Sequence, residues 1–552
     1  MGDSNFDITS SDLYSEDLAP IPLSKRSWGL WDMTAIWIGM AVCIPTYLLA
    51  SYMIKSGLNW LEAIIIIALG NIIITVPMVL NGHAGVKYGI PFPVIGRASF
   101  GTKGIHIPAI VRGIVACGWF GIQTWIGGLA FYAIWHAING TTPSLDLDIG
   151  KFIGFSLFWL LNVYFIWKGT ESIKWLEKFA APILVSIGIG LIVWSTIQVG
   201  SFREVLNQSE QLGQQTAVVT EITKGSSVYI YPIKNLDQTI KATEVNINNS
   251  DTWIPISEYG QRILIEGEDN YKISLRNQDY TSTIVEASTQ PVRGSMWEKI
   301  WTYLLSLTAM VGFWATMAIS IADITRYTGT QRNQILGQFL GLPGTMALFS
   351  FVGIFVTCAS VVIFPDVLIG ADAPWDPVSL VGKFSNPIVV IIAQVFMIIA
   401  TLSTNIAANV IAPANAFSNL NPSRISFRKG GMITAVIGIL ICPWSILNEI
   451  SGLLVFVSGL LGPVLGILLC DYFLIRKKEL SIPDLFNEEG KYSYNKTGFN
   501  KAALISLAVG VLIALVGFWF PALSFLYTLS WFSGFSVAFV LYYFLMKRNI
   551  IN

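Results

Sequence analysis

Two apolar stretches carry side chains that could do chemistry. The first, WFGIQTW at 119–125, places Trp119, Gln123 and Trp125 within two helical turns. Trp119 and Gln123 stand at i and i+4, so one helix face offers a stacking plane beside an amide. Trp125 points elsewhere, to lipid or a neighbouring helix. A primary amide costs free energy in hydrocarbon unless it has a partner, so Gln123 must bond either another helix or a ligand. The second stretch is QVFMIIATLSTNIAANVIAPANAF at 394–417, where Ser403, Thr404, Asn405 and Asn409 cluster. Ala400, Ser403, Thr404 and Ala407 share a face at helical spacing. Adjacent hydroxyls with small neighbours can supply oxygens to Na⁺; the competing reading is a hydroxyl bonded back to its own preceding turn. The Asn409 amide can both donate and accept. Neither stretch holds a deep acid, and no buried carboxylate is expected at the site. Arg112 is expected to snorkel from the end of its segment. Indoles and amides without charge suit a flat, neutral solute with N–H and C=O groups; they suit an amino acid poorly.

The elements that position these residues follow from composition. Of 552 residues, 53% are hydrophobic and only 12% charged, against roughly 25% charged in soluble proteins. Apolar runs long enough to cross a bilayer recur along most of the chain. Twelve spans are expected, near 29–53, 60–82, 107–136, 150–168, 178–198, 299–321, 335–364, 386–411, 431–447, 450–474, 502–520 and 523–546. Alternate loops carry the basic residues, among them Arg97, Lys103, Arg326, Arg332, Arg428, Arg476 and Lys547. The positive-inside rule makes those loops, and both termini, cytoplasmic. The expected location is the plasma membrane, and the bilayer is the one extended partner. Net charge is zero, which gives no basic surface for nucleic acid. The five cysteines and three histidines show no metal-ligand spacing, and the cysteines read as small buried core residues. No catalytic motif appears, so an enzyme is not expected.

The chain divides into a cytoplasmic segment 1–28, a first repeat 29–198, an external insertion 199–297, a second repeat 298–474, a cytoplasmic loop 475–501, a last helix pair 502–546 and a tail 547–552. The insertion carries short alternating runs, SSVYIYPIK, QRILIEGED and YKISLRN, that read as strands. Gly39 and Pro45 fall inside span one, and Gly312 inside span six. Glycine costs about 1 kcal/mol in a helix interior relative to alanine, and proline about 3. Interrupted helices at corresponding places in two halves are a pointer to a transporter binding site. Spans three and eight are likewise equivalent, so Gln123 and Asn409 are expected to approach one cavity.

Four stretches resemble the nucleobase–cation symporter-1 family: NGHAGVKYGIPFPVIGRASFG at 81–101, CGWFGIQTWIGG at 117–128, GFWATMAISIADITRY at 312–327 and LGPVLGILLCDYFLIRKKELSIPDLF at 461–486. The resemblance runs from about Leu18 to Leu545 and leaves out 199–297. It implies an all-α polytopic membrane protein with twelve helices: a LeuT-like 5+5 inverted repeat plus two more. Trp119 resembles the aromatic on one face of the substrate ring, and Trp314 the aromatic on the other. Gln123 and Asn409 resemble the amides at its polar edge. Phe313 stands where a hydantoin-transporting member has glycine, and Cys43 where it has glutamine. Leu454 matches a hydrophobic gate position. Gly39, Val42, Ala400, Ser403 and Thr404 match the family's Na⁺ ligands, with protons as the alternative coupling ion. The insertion is foreign to the family pattern.

The function expected is therefore a symporter that imports a nucleobase or a related cyclic amide or ureide: allantoin, uracil, cytosine, a purine or a hydantoin. Its partners are that solute and the coupling cation, and a monomer is expected. The alternative is a sensor that binds the same ligands without transporting them.

Overall fold

The computed structural model describes residues 7–55, 58–141, 143–144, 147–207, 218–221, 227–231, 243–255, 263–266, 270–276, 285–288, 296–363, 386–446 and 450–551. The first expected span is two helices, α1 (Leu30–Ala41) and α2 (Ile44–Lys55). They part at Val42, whose ψ of 77 is not helical. Then follow α3 (Trp60–Tyr88), α4 (Phe92–Phe100), α5 (His106–Asn139), α6 (Ile149–Lys168) and α7 (Thr170–Val199). Asn59 and Glu62 exchange side-chain-to-backbone bonds at the start of α3, so its first turn is capped. Gly89 ends α3 with φ +72. A side chain there would also meet the Ile21 carbonyl and the Arg26 guanidinium, at 2.5 Å from its Cβ.

Past the insertion the second interrupted helix is α8 (Met296–Phe313) and α9 (Ala315–Ser320), continued by the short α10 (Ala322–Thr325). The break falls at Trp314, with φ −99 and ψ 6, and not at Gly312. Gly312 has another job: a Cβ on it would lie 1.8 Å from the Ser458 hydroxyl and 3.0 Å from the Leu454 carbonyl. Helix α11 (Gln331–Ile363) precedes α12 (Pro387–Asn409) and α13 (Ile411–Leu420), separated by one irregular residue, Val410. Next come α14 (Phe427–Leu440), α15 (Ile450–Leu469), a π-turn over Cys470–Ile475, α16 (Lys501–Trp519) and α17 (Ser530–Ile551).

Eight helices among the described residues are long and apolar enough to cross a membrane, or nine with the bent pair Pro521–Thr528 and Ser530–Arg548. Length and hydropathy thus do not reach twelve. The first span misses because it is two twelve-residue pieces, the fifth because it counts only over Val185–Val199, and the ninth because α14 has only fourteen residues.

The helices pack as two groups. In one, α1, α3 and α8–α10 lie with α11; in the other, α5 packs along α6, α12, α13 and α14. Helices α15–α17 pack together beside them, with α15 touching α8 and α9. One end of the molecule gathers basic residues and the N-terminal segment. Arg326 donates to the Asp17 and Ala19 carbonyls, and the Asp17 carboxylate accepts from the Phe427 amide. Arg97 is fully buried there. We call this the basic face.

The insertion's described residues form two antiparallel sheets. One has order β1-β2-β5, from Val218–Glu221, Ser227–Tyr231 and Ile263–Glu266; the other has order β4-β3-β6-β7, from Ile254–Pro255, Glu244–Ile247, Asn270–Arg276 and Val285–Ser288. The three expected runs contain β2, β5 and most of β6. One cysteine departs from expectation: Cys442 is exposed, just past the end of α14, with a positive φ of 54.

Candidate substrate and cation site

The breaks bring aromatic rings together. Phe313, half-buried, stands edge-on to Trp119 with centroids 5.6 Å apart and to Trp314 at 5.0 Å. Trp314 in turn meets Trp37 of α1 at 5.3 Å, again edge-on. Thus α5, the α8–α9 break and α1 are joined by four rings in series. Edge-to-face contacts place a positive ring edge on a negative ring face. Trp37 was not singled out from sequence; its signal is an indole five residues before the break in span one. Trp125 lies apart, against Phe152, Phe155 and Trp444, so it is a helix-packing residue.

Gln123 is buried, and its Oε1 accepts no hydrogen bond. The Trp314 Nε1 is a buried donor with no acceptor. Such atoms cost about 1–3 kcal/mol each if left dry, so an acceptor and a donor stand ready for a polar ligand beside the rings. Asn409, at the last turn of α12, is held by a relay. Its Nδ2 donates to Asn405 Oδ1 at 3.0 Å. The Asn405 Nδ2 is shared among the Phe120 carbonyl, Thr124 Oγ1 and Asn162 Oδ1 at 3.1–3.3 Å. A backbone carbonyl only accepts, so it sets the orientation of Asn405 and hence of Asn409. Asn409 Oδ1 is left as an acceptor. Sequence reading placed Asn405 in the polar cluster without a role; Asn162 and Thr124 lie on other helices and gave no local signal.

Cys43 sits at the α1–α2 break, buried, with Sγ 3.2 Å from Thr46 Oγ1. Its polar capacity is met within its own turn. Leu454 is buried on α15, its carbonyl accepting from Ser458 Oγ at 2.6 Å. Gly312 lets this turn of α15, with the Leu454 carbonyl, approach the break closely.

Of the five residues matched to cation ligands, four meet in two pairs. Thr404 Oγ1 donates to the Gly39 carbonyl at 2.9 Å and reaches the Met40 carbonyl at 3.5 Å. Val42 packs against Ala400. Ser403 Oγ is buried and bonds nothing, not even its preceding turn. An orphaned hydroxyl beside a second hydroxyl and freed carbonyls suits a hard monovalent cation. Among the described residues no group of acids, histidines and cysteines could hold a metal.

Two expectations fail beneath the pocket. Arg112 does not snorkel: it is fully buried. Its Nε donates to the Ser320 hydroxyl at 3.1 Å and the Thr316 carbonyl at 3.3 Å, and its Nη2 to the Ala408 carbonyl at 3.4 Å. A buried carboxylate is present after all. Asp323 of α10 accepts through Oδ1 from Asn415 Nδ2 at 3.0 Å and the Phe92 amide at 3.2 Å. The apolar context of Arg112 was the available signal; its depth depends on how α9 packs across α5.

Polar side chains gathered beside interrupted helices are the arrangement in which secondary transporters build their solute and ion sites. Known proteins agree. The family described as permeases for cytosine/purines, uracil, thiamine and allantoin matches residues 20–237 and 276–543, and the chain belongs to that family. It is 34% identical to the purine-uracil permease NCS1 of Arabidopsis thaliana, over 94% of this chain and 74% of that one. It is 32% identical to the allantoin permease of Bacillus subtilis, over 98% and 94%. In fold it is similar to Mhp1, a nucleobase-cation-symport-1 family transporter solved closed around bromovinylhydantoin, with TM-score 0.69 and 24% identity over 97% of this chain and 95% of that one. The fold is thus the LeuT-like one, and the chain is a permease and not an enzyme. One expectation is corrected: the family match runs into the insertion to 237 and resumes at 276, so 199–297 as a whole is not foreign to the family.

Proposed function

We infer that this permease imports a neutral nucleobase or a related cyclic amide or ureide, coupled to Na⁺, by alternating access between the two helix groups. The reading rests on one observation above all: the buried, unpartnered Gln123 Oε1 one turn from Trp119, which begins the Trp119–Phe313–Trp314 ring series. A planar ring with N–H donors would stack on the indoles and donate to Gln123 and Asn409 Oδ1. Names of relatives support the class, with purine-uracil, allantoin and hydantoin among them. Na⁺ would sit between Gly39, Val42, Ala400, Ser403 and Thr404; a proton is the other coupling ion to test. Substrate and ion would raise each other's affinity by the same factor.

The basic face would be cytoplasmic, with both termini on that side of the plasma membrane and 199–297 outside. Twelve crossings would then follow, counting each broken helix once. A monomer suffices, because every residue assigned to the site comes from one chain. The sensor reading has no support among the permease relatives.

The test is uptake into proteoliposomes with labelled uracil, cytosine, hypoxanthine, allantoin and hydantoin, with Na⁺ or K⁺ outside. Expected is uptake of one class, faster in Na⁺ and competed by its own members. No uptake of any of the five, or uptake equal in the two salts at constant pH, would overturn the substrate and the ion assignment respectively.

A further inference from the structure

Arg112 and Asp323 lie outside the site just described, and the transport reading so far gives them no task. Both are buried charges, with exposures of 0% and 1%. They attract one another electrostatically, yet each keeps an orphan: Arg112 Nη1 donates to nothing, and Asp323 Oδ2 accepts nothing. Arg112 stands on the pocket-facing side of α5, seven residues before Trp119, hence about 10 Å nearer the basic face. Its bonds run across the boundary between the helix groups, to α9 on one side and to the end of α12 on its own. Asp323 crosses the same boundary in the opposite sense, from α10 to α13 and to the start of α4. Helix α9 is itself tied to α3, because Asn81 Nδ2 donates to the Ala318 and Ile319 carbonyls. So α9 and α10 move with α3 or not at all.

We propose that Arg112 and Asp323 are gating residues: a pair of crossed latches that seals the pocket toward the basic face and must release for the solute to leave. Two features fit a latch that opens. Arg112 donates to oxygens at 3.1–3.4 Å and to the Met317 sulfur at 3.8 Å, whereas Arg97 holds its oxygens at 2.6–3.2 Å. Each partner keeps one polar atom dry in the closed state, and opening would hydrate both. Closed and open forms are then near in free energy, which a two-state carrier requires.

The test uses Ala116, which shares the face of Arg112 and Trp119 between them and is 1% exposed. The full chain carrying Ala116→Cys is placed in membrane vesicles of each orientation and labelled with an impermeant maleimide; alkylation of the introduced thiol is read by mass spectrometry of the peptide that contains it. Asp323→Asn and Arg112→Met should each speed labelling from the basic face about tenfold and slow it from the opposite face. A loosened but ungated protein would gain label from both faces. Unchanged labelling from the basic face in both variants, or equal gains from both faces, overturns the proposal. If either variant is missing from the membrane, Arg112→Lys replaces it. Lysine keeps the charge but loses the forked donor, so a smaller gain from the basic face is expected, and parental labelling overturns the proposal. The proposal rests on alternating access and not on the solute's identity. Labelling needs no solute, so its failure and that of the uptake screen are separate results.

Discussion

Two buried arginines, fifteen residues apart in sequence, mark two kinds of interior. Around Arg97 nothing is left over. Its guanidinium donates to the Leu13, Leu485 and Asn419 oxygens at 2.6–3.2 Å. Nearby, Asp471 accepts from Ser99, Arg476 and Tyr542 at 2.7–2.9 Å. Around Arg112 the bonds are longer, and the orphans accumulate: Arg112 Nη1, Asp323 Oδ2, Gln123 Oε1, Trp314 Nε1 and Ser403 Oγ. Orphans also occur elsewhere, as at Asn71 and Trp531, so one alone means little. Five along a single seam between the helix groups mean more. The saturated network ties the N-terminal segment and the 476–500 loop to the membrane helices. The unsaturated seam is where the proposed solute, cation and latch lie. Incompletely bonded buried polar atoms gathered in one region call for an explanation.

The contrast can be broken most forcefully at Arg97. Arg97→Met strands three buried acceptors, so a loss of about 3 kcal/mol or more of stability is expected. Unfolding of the purified protein measures it, and a shift below about 1 kcal/mol would mean that the network is not an anchor. Gly312→Ala comes next. With the Ser458 hydroxyl 1.8 Å from the new Cβ, α15 must shift at a cost of about 1–3 kcal/mol. Uptake should fall several-fold, and adding Ser458→Ala should restore part of it; parental uptake by Gly312→Ala alone would show that the close approach is dispensable. Gln123→Ala tests the seam itself. Solute affinity should weaken roughly tenfold, or about 1.4 kcal/mol, while the unfolding midpoint stays near the parent's; the reverse pattern would make Gln123 a packing residue. Ser403→Ala is the gentlest. Removing a hydroxyl that bonds nothing should change stability by less than about 0.5 kcal/mol, yet raise the Na⁺ concentration for half-maximal uptake several-fold. A stability loss without a Na⁺ effect would return Ser403 to the core.

Much of this was legible from residue types alone. Hydropathy is local, so most of the helices follow from it; the interruptions of the first and sixth spans were signalled by Gly39, Pro45 and Gly312, and the shared face of Trp119 and Gln123 by their spacing. What was not legible depends on registers between helices far apart in sequence. The break lies at Trp314, while Gly312 serves the approach of α15, a constraint set by Ser458. Arg112 looked like an end-of-helix cation because nothing local reveals that α9 covers it. Asp323 is buried by Phe92 and Asn415, one upstream by more than two hundred residues and the other downstream by about ninety. Trp37 needed the positions of two breaks at once.

The asparagine relay has a consequence for how solute preference can drift. The Phe120 carbonyl dictates Asn405, and Asn405 dictates which atom Asn409 shows the pocket. Asn162 Oδ1, which accepts from the same Asn405 Nδ2, supports the same orientation, and under the proposed function it would help to decide which Asn409 atom the solute meets. Two relatives with identical pocket walls could then differ in diet through a residue that neither solute ever touches. Selecting variants on a new ring should return changes at position 162 as well as at 119, 123 and 409.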